Sequence, residues 1–352
     1  MRCPSILEPE SLMSSRDATP TTSTPATSPA PSHSLIGRLF HWGRIAMVLA
    51  VVLAAFWTVR SHWSEVSDTI STMSWTTVLP AFLALPVAIA CSTLSWQFLV
   101  DEIGEPIGPA RGAQIFLVGQ LGKYLPGSVW AYVLQMELGR RAGLARARIF
   151  TATVFSLAVA VVAALLTGAL VIPSLIDNDD SLAPLQWLYL LLPVGLVCLH
   201  PLVLDRLVGV GFKVLRRPQR DHPVRGRAIV LSLAAAVTSY VFFGVHLWLL
   251  SEGAGDGAGL LLTCIGTMAV AMISGLFFFI LPSGAGVREL VIVTALAPHV
   301  GTGTSIALAA VSRVMLTAAD IVTAAAAAAV GVYERRRHGP IHHDPGIEDD
   351  EL

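Results

Sequence analysis

The sequence predicts an all-α integral membrane protein of about eight transmembrane helices, with broken or re-entrant segments among them. Three observations carry this reading: too little charge for a water-facing globule, repeated apolar segments of bilayer length, and two Pro-Gly interruptions inside apolar runs. Of 352 residues, 54% are apolar and only 13% are charged. A soluble domain carries about a quarter charged residues, because its surface must stay in water. The surface left uncovered here has to face lipid.

Residues 1–36 form a leader rich in Ser, Thr and Pro, typified by TPTTSTPATSPAPSHS at Thr19–Ser34. It buries too little apolar surface to offset its ordering entropy, so disorder is expected. The basic and apolar regions of a signal peptide are missing from its start, and Met13 is an alternative start codon. A polytopic membrane domain is assigned to 37–334 and a cytoplasmic polar tail to 335–352.

Crossing a ~30 Å hydrocarbon core takes about 20 residues. Apolar segments of that order fall at 43–59, 77–99, 149–172, 185–204, 228–250, 259–281 and 304–332. Two further stretches, 113–135 and 290–300, are interrupted or short. Basic residues collect before the first span (Arg38, Arg44), at 139–148 (Arg140, Arg141, Arg146, Arg148), at 205–227 and after the last span (Arg335–Arg337). The alternate connections hold Asp177, Asp179, Asp180, Glu252 and Asp256 instead. The excess of Lys and Arg marks the cytoplasmic side, which places the protein in the cytoplasmic membrane with both termini inside.

That assignment puts both ends of 113–135 on one side. The segment is therefore expected to dip in and return, turning at Tyr124-Leu125-Pro126-Gly127, where proline lacks the helical donor and glycine the helical preference. Non-helical backbone at membrane depth requires protein or a water-filled cavity around it. A similar break, Leu-Pro-Ser-Gly, lies between the apolar arms of FFFILPSGAGVREL (Phe277–Leu290). Two layouts satisfy the charges. If 259–281 and 290–302 both cross, there are eight crossings and one dip, the count preferred here. If they form a second dip, there are six crossings and two dips, and the halves become inverted repeats of the kind that bind substrate near the midplane.

Ionisable residues inside spans are costly and face a cavity or a partner. Lys123 lies beside the first break, Arg288 and Glu289 follow the second, and Arg313 and Asp320 sit in the last span. Seven residues separate Arg313 from Asp320, so a helix sets them on one face about 10 Å apart, too far for direct contact. Glu289 is expected to pair with Arg313, and Asp320 with Arg288 or Lys123. The plain interpretation is a set of ion pairs holding helices in register, or side chains snorkelling to the interface. The functional interpretation is an anion site at a helix that restarts after a break, where free N–H groups and a guanidinium suit phosphate. The candidate substrate-binding residues are Lys123, Pro126, Gly127, Ser283, Gly284, Gly286, Arg288, Glu289, Arg313 and Asp320.

GQLGKYLPGSVW (Gly119–Trp130), LPSGAGVRE (Leu281–Glu289) and Ser312-Arg313 resemble the membrane region of lysylphosphatidylglycerol synthases, over about residues 40–335. The similarity is greatest to standalone flippase-like proteins that share that region. It implies broken helices and translocation of lipid or lipid-linked sugar. Ser283 stands where the family often has glycine, and Lys123 precedes a turn that is often Arg-rich in the family. The chain ends about 20 residues after the last span, so no soluble synthase domain is expected and the chain should not make lysyl-lipid by itself.

Four cysteines without metal-ligand or redox spacing imply no metal site and no disulfide framework. Cofactors and nucleic acid are not expected. The leading function is a flippase-like transporter of an anionic lipid or a polyprenyl-linked glycan. The alternative is a non-transporting membrane partner in a lipid-modifying or glycan-assembly complex. An enzyme is not expected, because His246 and His299 stand alone and Glu289 with Asp320 makes a weak acid–base pair.

Overall fold

The computed structural model describes residues 60, 63–125, 129–169, 188–200, 203, 206, 225–251, 257–277 and 282–338. Every extended element among them is a helix: α1 (Trp63–Thr72), α2 (Trp75–Ile103), α3 (Pro109–Gln120), α4 (Val129–Arg141), α5 (Arg146–Gly168), α6 (Leu188–Cys198), α7 (Gly226–Leu250), α8 (Gly257–Phe277), α9 (Val287–Val300) and α10 (Thr302–His338). Short 3-10 turns at Leu121–Tyr124 and Pro282–Gly284 interrupt the apolar runs. The leader and the expected span 43–59 lie outside the described residues, as do Pro126 and Gly127. The last helix continues to His338, beyond the expected boundary at 334.

Among the described residues, four helices are long and apolar enough to cross a membrane: Trp75–Ile103, Arg146–Gly168, Gly226–Leu250 and Thr302–Tyr333, with a shorter apolar helix at Gly259–Gly275. α2 shows why lipid is the surrounding medium. Leu85, Ala88 and Trp96 turn inward and are buried, while Leu79, Leu83, Val87 and Leu94 are exposed on its outer side. A helix apolar on its outer face as well as its inner one has no water-compatible side.

Small residues and hydroxyls hold the bundle together, as expected where apolar burial no longer separates helix contact from lipid contact. A Cβ on Gly244 of α7 would come within 2.3 Å of the Ile265 backbone on α8, so only glycine admits that approach. Between α2 and α7, Ser232 donates to the Ser95 carbonyl (2.8 Å) and Ser239 to the Ala88 carbonyl (2.7 Å).

α3 and α4 form a hairpin. A Cβ on Gly119 would meet Gln135, and one on Gly122 would reach the backbone of Ala131 at 2.6 Å. The arms hold 12 and 13 residues, about 18–20 Å of helix at 1.5 Å per residue, too short to cross a ~30 Å core. Both ends lie at one side of the bundle. Arg148 donates to the carbonyls of Val100 and Glu105, and Glu102 accepts from the Arg225 N–H, which ties the connections at 100–108, 139–148 and 225 together.

The second apolar pair, α8 and α9, is a hairpin of opposite sense. α7 starts at the basic end and finishes at the other, where α8 begins. α10 packs Gly331 against Gln114 in the middle of α3 and Asp320 against the first turn. Its start, 18 residues before Asp320, therefore lies about 27 Å beyond that turn, at the non-basic end where α9 finishes. This path fits the second layout, in which 259–281 and 290–302 form a dip, and the expected count of about eight is not reached among the described residues. Helix length alone had suggested otherwise, because α8 has 21 residues and could span if it ran straight through.

Candidate functional site

The two hairpins meet at their tips, the 3-10 turns Leu121–Tyr124 and Pro282–Gly284, and α10 passes both. At the first tip, Leu125 is extended (φ −76, ψ 144), the conformation that the following proline imposes. Lys123 Nζ lies 2.7 Å from Asp320 Oδ2. Tyr124 donates its hydroxyl to the same oxygen at 2.6 Å, so one carboxylate of α10 holds two consecutive side chains of the turn.

At the second tip, Ser283 has φ 53 and is followed by glycines at φ 65 (Gly284) and φ 87 (Gly286). Left-handed backbone is strained for any residue with a Cβ, which explains the two glycines and makes Ser283 the strained member. Its carbonyl accepts from Arg313 Nη1 at 3.2 Å, and the same nitrogen reaches Glu289 Oε1 at 3.1 Å. The other Glu289 oxygen accepts the Gly286 N–H at 2.7 Å. The restarting helix α9 is thus capped in part by its own carboxylate, which takes one of the free N–H groups that the anion reading assigned to substrate.

Arg288 is different. Its Nε is buried and has no hydrogen-bond partner among the described residues. Its guanidinium passes over Gly275, whose Cβ, if present, would sit 3.8 Å from Nη2 and 3.3 Å from the Gly284 Cα. Of the five expected charges, Asp320 pairs with Lys123 and Glu289 with Arg313, and no carboxylate among the described residues forms an ion pair with Arg288.

Arg288, Lys123, Asp320 and Ser283 all line one partly open cavity of about 250 Å³ bordered by α2–α5 and α7–α10. Its other walls mix hydroxyls and amides (Ser95, Gln120, Gln135, Thr153) with rings such as Trp96 and Tyr240. Glu289 and Arg313 stand outside this lining, behind the second turn; Gly284 and Gly286 shape the turn rather than the wall. Sequence reasoning missed Tyr124 as a partner of Asp320, Gly275 as the seat of Arg288, and the polar group around Gln135. A census of uncharged polar residues in apolar runs, beside the ionisable ones, finds Gln135. It also finds Ser312, whose hydroxyl donates to His246 Nε2 (3.0 Å) while His246 Nδ1 donates to the Ala81 carbonyl (2.9 Å).

Fold and site together define a multi-pass α-helical membrane protein with a net cationic chamber of mixed polar and apolar lining at the junction of two broken hairpins. The family model for the lysylphosphatidylglycerol synthase TM region matches residues 44–324, and the chain belongs to that family. No curated protein matches it.

Proposed function

We propose that the protein is a flippase-like transporter that moves an anionic lipid or a polyprenyl-linked glycan across the cytoplasmic membrane, without doing chemistry on it. The observation that carries this reading is Arg288, which lines the chamber and whose buried Nε has no partner among the described residues. A buried N–H donor without a partner is costly, and a phosphate ester offers several anionic oxygens that the planar guanidinium fork can engage in pairs. The family supports a role with membrane lipids. Two hairpins entering from opposite ends fit the inverted-repeat architecture of transporters, in which one half rocks against the other around a midplane site. In this reading the Arg-rich end faces the cytoplasm and both termini lie there.

Reconstitution into proteoliposomes with fluorescent lipids tests the proposal. Wild-type protein is expected to accelerate transbilayer movement of at least one anionic lipid, and Arg288→Ala to slow it tenfold or more, about 1.4 kcal/mol of lost interaction. Unchanged movement in Arg288→Ala across a range of headgroups sinks the reading. Wild-type protein that moves no lipid points instead to a non-transporting partner in a lipid-modifying or glycan-assembly complex.

A further inference from the structure

The chamber holds a second unsatisfied donor. Gln135 is 1% exposed, lines the cavity and has an Nε2 with no partner among the described residues. Its orientation is fixed from behind: Trp96 Nε1 donates to Thr153 Oγ1 at 3.1 Å, and Thr153 in turn donates to Gln135 Oε1 at 3.2 Å. With its oxygen engaged, the amide's unused hydrogen-bonding capacity lies in its N–H donors. Burying such a donor unpaired costs about 1–3 kcal/mol. A purely structural glutamine in this place would lose that penalty by substitution with an apolar residue.

Charge narrows what the donor is for. The one carboxylate in the lining, Asp320, already accepts from Lys123 and Tyr124. No other carboxylate lines the cavity among the described residues, so an ammonium on the ligand would find no counter-charge. Hydroxyl groups such as Ser95 and Thr153 line the same cavity instead, and Thr153 bonds Gln135 directly. Resting on the lipid-binding reading above, we infer that Gln135 forms a second subsite that receives a hydroxyl or carbonyl oxygen of an uncharged headgroup moiety, next to the phosphate held by Arg288. The ligand is then a phospholipid or prenyl phosphate carrying a neutral polyol or sugar, rather than an aminoacylated, cationic headgroup.

The test is competition against fluorescent phosphatidic acid on the purified full-length chain in detergent micelles. Phosphatidylinositol supplies phosphate with a neutral polyol, phosphatidic acid supplies phosphate alone, and lysylphosphatidylglycerol supplies a cationic headgroup. Wild-type protein should prefer phosphatidylinositol to phosphatidic acid by at least about fivefold, the worth of one added hydrogen bond, and bind the lysyl lipid least. In Gln135→Met that preference should vanish while phosphatidic acid binds as before. Thr153→Val, which frees the amide to rotate, should lower it partway and decides the matter alone if Gln135→Met does not fold. A preference that survives in the folded variant, or tightest binding of the lysyl lipid, overturns the inference. Free inositol 1-phosphate should compete at least tenfold more weakly than the lipid; equal competition overturns the lipid assignment. Loss of all binding in Arg288→Ala, with the preference intact in Gln135→Met, separates failure of the subsite from failure of the site.

Discussion

Arg313 and Asp320 stand seven residues apart on α10, and each secures the tip of a different hairpin: Arg313 bonds the Ser283 carbonyl of the second turn, and Asp320 binds Lys123 of the first. One helix thereby sets the relative position of two turns that enter from opposite ends. Any motion that opens the chamber between them has to break or slide one of these contacts.

The Lys123–Asp320 contact should therefore show strong coupling. Both side chains are largely withdrawn from solvent, at 24% and 13% exposure, and removing one partner strands the other. Asp320→Asn and Lys123→Met should each lower stability by about 3 kcal/mol, the low end for a buried pair. Thermal or denaturant unfolding in detergent should give a coupling of about 1–3 kcal/mol in the double variant. Simple additivity means that the pair is solvent-screened and holds nothing.

Glycine at the second tip should be irreplaceable for a backbone reason. Gly284 has φ 65, and a Cβ there would sit 2.4 Å from the Gly275 Cα. Gly284→Ala combines a left-handed penalty of about 1–2 kcal/mol with a backbone clash that no rotamer relieves, so folding yield should fall sharply. Gly259→Ala on α8 is the control: it has nothing within 4 Å and no positive φ, and helix propensity should make it neutral or stabilising by about 0.5–1 kcal/mol. Equal behaviour of the two variants in size-exclusion profiles contradicts this account of the turn.

How much of this was legible in the sequence depends on what kind of signal each part leaves. The long helices announce themselves through apolar length, and the rule that charges at membrane depth need partners gives Glu289–Arg313 and leaves Asp320 a choice of Arg288 or Lys123, which the structure resolves to Lys123. The sense of α8 and α9 was not legible, because 21 apolar residues fit a crossing and a re-entrant arm equally well. The path of α10, with Gly331 on Gln114 and Asp320 on the first turn, is what favours the re-entrant arm. Gln135 and Gly275 were invisible to a census of charges: one is neutral, and the other acts through the side chain it lacks.

The buried histidine provides a third test. His246 is fully buried and bridges α7 to α2 through the Ala81 carbonyl and to α10 through Ser312. Because the carbonyl can only accept, Nδ1 carries the proton and Nε2 takes the serine's. Ser312→Ala leaves Nε2 without a donor and should cost about 1–3 kcal/mol. Ser312→Thr keeps the hydroxyl and should recover most of that loss if the extra methyl is accommodated. Unfolding midpoints for both variants check it; a neutral Ser312→Ala shows the bond to be idle.

Glu289 separates stability from binding. One oxygen caps the Gly286 N–H and the other holds Arg313. Glu289→Gln keeps an acceptor for the cap but discharges the ion pair. Glu289→Ala removes both, so it should be the less stable by about 1 kcal/mol, the usual worth of an N-terminal cap. Ligand affinity should move the other way. With Glu289 neutral, the cluster at the second tip gains a positive charge close to Arg288, and an anionic headgroup gains attraction in a region where water screens poorly. Glu289→Gln is therefore expected to unfold at a lower temperature than wild type yet bind phosphatidic acid severalfold more tightly. If stability and affinity fall together, Glu289 serves the chamber directly, as part of the surface that shapes the anion site, rather than by neutralising Arg313.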